Sequence, residues 1–198
     1  LFRDRLAALG RIHAVRIECQ SYLPEWRPGR PFRESYSASA REGGVLRDLS
    51  HEIDYAGGLF GWPTAVEARV RNEGRLGIEA DESADLLWEA RDGCVVSMRL
   101  DYLTRPGHRR MIAAGEHGTL EWDGIAGQVV QRLVDVPMWS EVRPQTREDR
   151  LLNEHKAFLA GDDPRLATLA DGLNSLAVCD AARRASLSGS AEVVEVVN

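Results

Sequence analysis

Asp48, His51 and Tyr55 are the residues whose types and spacing could do proton chemistry. They sit in the run Gly43-Gly44-Val45-Leu46-Arg47-Asp48-Leu49-Ser50-His51-Glu52-Ile53-Asp54-Tyr55. On a helix turning about 100° per residue, Leu46, Leu49, Ile53, Ala56 and Phe60 form one apolar stripe. Asp48, His51 and Tyr55 then fall together on the other side, as surface neighbours. A carboxylate one turn before a histidine can hold the ring in one orientation and favour its protonated form, as general acid/base work requires. Spacing alone is weak evidence, because a polar face opposite an apolar stripe is usually just solvated. His13, His108, His117 and His155 have no carboxylate at helical spacing in an informative context, and no role is assigned to them.

A second group of candidates lies just upstream. Residues 21–42 are punctuated by Pro24, Pro28, Gly29 and Pro31, and they carry Tyr22, Trp26, Phe32 and Tyr36 with Arg27, Arg30 and Arg33. A loop of that length is commonly functional. Arginine forks suit hydroxyls, carboxylates or phosphates, and aromatic faces suit a sugar ring. The loop leads directly into the glycine pair, so Trp26, Arg27, Arg33 and Tyr36, with Tyr55 on the helix, are expected to bind substrate in a cleft beside His51. The plainer alternative is that Trp26 and Phe32 pin the loop to the core while the arginines face water.

The positioning elements follow from periodicity. Residues 1–9 read as a short amphipathic helix stopped by Gly10, and 13–19 alternate as a strand. Residues 43–60 read as one helix closed by Gly61, with Pro63 beyond. Strand-like segments follow at 65–72, 83–90, 95–103, 108–114, 118–122 and 128–133, with Asp92-Gly93 as a hairpin signal. From Arg147 the period is helical again. Leu151, Leu152, Phe158 and Leu159 make one apolar face, ended near Gly161, and Leu166, Leu169, Leu173 and Leu176 make another, ended near Gly189. Residues 193–197 read as a closing strand. Strands grouped together and then helices grouped together indicate an α+β fold in a single domain, 1–198.

Composition narrows the function classes. Hydrophobic residues at 43% and charged residues at 28% fit a globular domain rather than a disordered chain. The net charge of −6, without a basic stripe, argues against nucleic acid. Lys156 is the only lysine, so lysine chemistry has one candidate. Cys19, Cys94 and Cys179 are far apart, which suggests reduced thiols in the cytoplasm. No apolar run is long enough for a bilayer. The first residues read as the middle of a helix, suggesting a chain that starts partway through a larger protein. No G-x-G-x-x-G follows a strand, so no dinucleotide fingerprint is present. A metal-dependent hydrolase using His51, Asp48 and Asp54 is the weaker reading, for want of further nitrogen or sulfur ligands. A stand-alone binding module is the other alternative.

The runs Tyr22-Leu23-Pro24-Glu25-Trp26-Arg27-Pro28-Gly29-Arg30 and Arg33-Glu34-Ser35-Tyr36-Ser37-Ala38, followed by the glycine-pair run, resemble the C-terminal domain of the Gfo/Idh/MocA oxidoreductases. The likeness continues through Ala114-Gly115-Glu116-His117-Gly118-Thr119-Leu120-Glu121-Trp122. More narrowly, it resembles a branch of sugar or amino-sugar dehydrogenases. The resemblance implies an open, largely antiparallel mixed sheet with helices on one face, the other face pairing subunits into a homo-oligomer. It implies that NAD or NADP is bound by a separate Rossmann domain, which also carries the family's lysine and is absent from this chain. It implies a sugar-like substrate, with His51 handling the hydroxyl proton and Asp48 assisting. Many members place that aspartate four residues before the histidine. Here the spacing is three.

Overall fold

The computed structural model describes residues 1–90, 92–161, 163 and 166–197. The chain opens with α1 (Phe2–Arg5), which continues into a 3-10 turn over Leu6–Leu9. β1 (Ile12–Gln20) follows, its side chains alternating as the sequence does. Val15, Ile17 and Cys19 turn into the core, while Arg16 and Glu18 face the other side. Then come α2 (Val45–Asp48), α3 (Ser50–Phe60), β2 (Ala65–Arg71), β3 (Ser83–Glu89) and β4 (Val95–Asp101). β5 (His108–Gly115), β6 (Gly118–Asp123), β7 (Gln128–Leu133) and β8 (Trp139–Val142) complete the run of strands. α4 (Arg147–Ala160), α5 (Leu169–Ser188) and β9 (Glu192–Val193) close the chain.

Among the described residues the strands form one nine-stranded sheet in the order β8-β7-β6-β5-β1-β4-β3-β2-β9. β1 and β4 are parallel at its centre, and the other neighbours are antiparallel. This is the open mixed sheet that the resemblance implied. The inward row of Val66, Ala84, Leu86, Val96, Met98, Leu100, Met111 and Ala113 meets Leu46, Leu49, Ile53 and Ala56 of α2 and α3. Val178, Cys179, Ala181, Ala182 and Ala185 of α5 join the same core. Small residues along α5 let it lie close to the sheet, and burying such a core supplies the main stabilisation of the fold. Ser186 of α5 meets the free side of β2, accepting from Val70 N and donating to Val70 O. That satisfies a strand edge that would otherwise be open.

The opposite face of the sheet is uncovered, as expected from helices on one side only. A face that so few helices leave bare is expected to be largely apolar, and its chemistry is different. Charged pairs run across it: Arg16–Glu18, Arg99–Asp85, and Glu121 held between Arg110 and Arg132. Leu87 and Val95 are half-exposed among them.

Two helical expectations also need correction. The helix expected over 43–60 is two helices, because Leu49 sits at φ −105°, ψ 20° and breaks it. The apolar faces expected of the two late helices are open to solvent, with Phe158 73% and Leu159 83% exposed on α4 and Leu169 81% exposed on α5. α4 holds its shape through its ends: a capping box joins Thr146 and Asp149, and Gly161 closes it in the left-handed conformation. The closing strand is shorter than 193–197, pairing with β2 only at Glu192 and Val193.

Candidate functional site

The glycine pair explains how the candidate helix is placed. A side chain at Gly43 would collide with the backbone of Tyr36 and Ser37, so the loop passes directly over it. Gly44 takes φ 92°, a left-handed value that glycine adopts without strain. It turns the chain so that Val45 N donates to Asp81 O (3.0 Å) and Leu46 N donates to Asp81 Oδ2 (3.1 Å). Arg183 of α5 grips the other oxygen of Asp81 at 2.8 Å. The start of α2 is thereby fixed to the β2–β3 connection and to α5.

The break at Leu49 separates Asp48 from His51. Asp48 Oδ2 accepts from the Tyr102 hydroxyl at 2.6 Å, and its buried Oδ1 has no hydrogen-bond partner. Burial and the Asp48 carboxylate both push the Tyr102 phenol up, so Tyr102 stays a donor. Among the described residues Asp48 makes no hydrogen bond or ion pair with His51, so the pairing expected from helical spacing does not form.

His51 stands on α3, about half exposed, with Nε2 3.0 Å from Glu52 Oε1. Glu52 is fully buried. Arg109 of β5 reaches the same oxygen at 2.6 Å, and the Tyr55 hydroxyl donates to Oε2. Both contacts to Oε1 lie at ion-pair distance but off the axis of an aligned hydrogen bond. Burial pushes Glu52 up, yet His51, Arg109 and Tyr55 together outweigh it and hold the carboxyl below its ordinary value. Glu52 is therefore charged at neutral pH. Tyr55 also packs edge-on against Trp122, with ring centroids 6.0 Å apart, and the Arg109 guanidinium lies over both rings. Burial and Glu52 push the Tyr55 phenol up. Cys19 lies beside this cluster and is pushed up to about 12, chiefly by burial.

The loop 21–42 is ordered by short 3-10 turns and by backbone bonds from Ser21 to Asp101 and from Leu23 to Tyr102. Trp26 donates to Ser21 Oγ at 2.9 Å and meets the Tyr102 ring edge-on at 5.3 Å. A pocket of about 280 Å³ opens here, lined by Trp26, Arg27, Arg30, Phe32 and Tyr36 among others. Arg27 lies over Tyr36, 5.9 Å from the ring centre, and Tyr36 is half exposed. Arg33 turns elsewhere. Its Nε donates to Leu76 O at 2.9 Å and its guanidinium packs on Phe32, so it tethers the loop. The structure thus joins Trp26, Arg27 and Tyr36 to Asp48 through Tyr102, while His51 is not among the residues lining that pocket.

Sequence reasoning missed Glu52, Tyr102, Arg109 and Trp122. Glu52 carried a local signal, since at about 100° per residue it flanks the apolar stripe beside Asp48 and Tyr55. Tyr102, just past the end of β4, and Arg109, on β5, are distant in sequence. Among the described residues no three His, Cys, Asp or Glu side chains are grouped to hold a metal ion. Among the described residues the one parallel strand pair, β1–β4, has no glycine-rich turn opening a helix after a strand, the feature that marks a Rossmann dinucleotide site. No helix among them is long and apolar enough to cross a membrane.

The fold is shared with several NAD-linked oxidoreductases. Over the whole chain it superposes on levoglucosan dehydrogenase in complex with NADH and levoglucosan, with TM-score 0.84 and 16% identity, spanning 63% of that protein. An NAD-binding oxidoreductase from Klebsiella pneumoniae matches 99% of the chain with TM-score 0.83 and 16% identity, again over 63% of its length. An oxidoreductase from Agrobacterium radiobacter, in complex with NAD+, L-tartaric acid and magnesium, matches 98% with TM-score 0.80 and 17% identity, over 60% of its length. The chain thus spans about three-fifths of the structures it resembles. A search of curated proteins by sequence finds no match. The model of the GFO/IDH/MocA C-terminal domain matches residues 5–121, more than half of the sequence, and the chain belongs to that family.

Proposed function

We propose that this chain is the substrate-binding and subunit-pairing part of an NAD(P)-dependent oxidoreductase acting on a sugar or sugar-like polyol. The observation that carries the reading is the neighbourhood of α2 and α3. An aromatic and arginine-lined pocket adjoins Asp48 through Tyr102, and an exposed histidine stands one turn further along, beside a buried charged carboxylate. Aromatic faces such as Trp26 and Tyr36 suit the C–H face of a sugar ring, and Arg27 and Arg30 suit its hydroxyls. Similarity to enzymes crystallised with NADH and levoglucosan, and with NADH and L-sorbose, supports that substrate class.

In this reading His51 takes the proton of the hydroxyl being oxidised, and the half-exposed ring can reach a substrate without rearrangement of the core. In the same reading this chain's share is to bind the sugar and handle its proton, with the dinucleotide held by a separate Rossmann domain. The test is turnover of the full-length gene product on a panel of sugars with NAD and NADP. At least one sugar is expected to be oxidised, and His51→Ala should lower kcat about 100-fold or more with little change in KM. Turnover of no sugar, or full kcat in the His51 variant, would remove the reading.

A further inference from the structure

We infer that Glu52, anchored by Arg109 and Tyr55, positions His51 and fixes its tautomer, so that Nδ1 is the nitrogen that receives the substrate proton. The inference rests on the reading of His51 as proton acceptor, and it moves the assisting carboxylate from Asp48 to Glu52.

The argument starts from what each group can do. A charged carboxylate offers only lone pairs. Glu52 Oε1 lies 3.0 Å from His51 Nε2, a distance at which two lone pairs would repel. The neutral ring therefore carries its proton on Nε2, and the basic lone pair is on Nδ1. Glu52 is held from both ends by cation and donor: Arg109 ion-pairs with the same Oε1, and the Tyr55 hydroxyl donates to Oε2. Those two contacts come from β5 and from the next turn of α3, both packed in the core, so the carboxylate cannot turn away from the histidine. Asp54, also on α3, is the remaining acid that acts on His51, and it is partly exposed. Asp48 is engaged by Tyr102 instead, on the far side of the break at Leu49. An arrangement of this kind, an orienting acid behind the ring nitrogen that does not react, is how a histidine base is held in one state.

The tautomer can be read without turnover. The chain, labelled with 15N in histidine, is examined by long-range 1H–15N correlation at about pH 8.5, where an ordinary histidine is neutral. The His51 ring is expected to show the Nε2–H pattern. The double variant Glu52→Leu with Arg109→Leu removes the acceptor and its counter-charge together, and there His51 should show mixed tautomers. In Glu52→Gln the amide oxygen keeps the Oε1 position that Arg109 requires, so it still faces Nε2 while the NH2 falls on the Tyr55 side, and the Nε2–H pattern should persist. Asp48→Asn should leave it unchanged. An Nδ1–H pattern in the wild-type chain, or an undiminished Nε2–H pattern in the double leucine variant, overturns the inference. A shift caused by Asp48→Asn would return the role to Asp48. In the full-length enzyme Glu52→Gln should lower kcat about tenfold or more with KM nearly constant. If His51→Ala leaves turnover intact, it is the catalytic reading that fails, whatever the tautomer shows.

Discussion

Arg27 and Arg33 are the same residue type six positions apart, and the structure gives them different work. Arg27 has its guanidinium in the pocket over Tyr36, with no protein acceptor taking its charge in a hydrogen bond or ion pair among the described residues. Arg33 spends its Nε on the Leu76 carbonyl. Replacing Arg27 with alanine should therefore lower kcat/KM on the true substrate more than tenfold, about 1.4 kcal/mol, with the melting temperature unchanged. Arg33→Ala should do the reverse. A tether to a backbone carbonyl contributes on the order of 1 kcal/mol of stability, and kcat/KM should hardly move. Steady-state kinetics and a urea titration on each variant separate the two, and equal effects would mean that the pocket does not bind substrate. The amino-acid sequence displayed both arginines equally. It could not tell them apart, because the acceptor that claims Arg33 lies in the β2–β3 connection, remote in sequence. Glu52 was obscured for the same reason. Its partner Arg109 is on β5, and a local helical projection treats a glutamate beside the stripe as one more solvated residue.

Among the elements, the strands were the most legible. β2 to β7 fall where alternation placed them, and Asp92-Gly93 makes its turn, with Asp92 accepting from Cys94 N and Gly93 at φ 83°. The helix of the site was legible in its apolar stripe and misjudged in its continuity. Leu49 breaks it while still burying its side chain, so the stripe keeps the same spacing on both sides of the break. The break is what lets Asp48 and His51 diverge. The glycine pair sets where that helix begins, and this can be tested. Gly44→Ala places a methyl group against the Asp81 carboxylate and imposes strain at φ 92°. A loss of about 1–3 kcal/mol is expected, read as a lower urea midpoint with unchanged slope. A neutral result would mean that the α2 start can relax and that Asp81 is not what fixes it.

For the molecule as a whole, the sheet face that carries no helices is crossed by ion pairs rather than greased with apolar side chains. Association through such a surface depends on complementary charge, which steers and aligns more than it binds. Copies that pair through this face should therefore separate as salt screens them. Light scattering is expected to show a mass above that of one chain at about 0.05 M salt, falling toward it at about 1 M. A single-chain mass at every salt concentration would remove self-association through the sheet. Sheet coverage was predictable from the count of helices against strands. The polarity of the open face needed the register, which brings Arg99 opposite Asp85 on β3 and sets Arg110 diagonally across from Glu121 on the neighbouring strand.

The exposure of α4 has a consequence for how the fold opens. A fourteen-residue helix whose described side chains are not part of the core cluster gains little from tertiary packing, so its persistence depends on its own backbone bonds and its two caps. The free energy needed to unravel it is then a small fraction of that needed to unfold the sheet. Its amide protons would trade with solvent long before those of β1 or β4, and a protease would find its first cut there. Such a nick would not release the remainder of the chain. α5 is buried along Val178 to Ala185, and β9 is stitched to β2, so the severed end stays seated on the domain it came from.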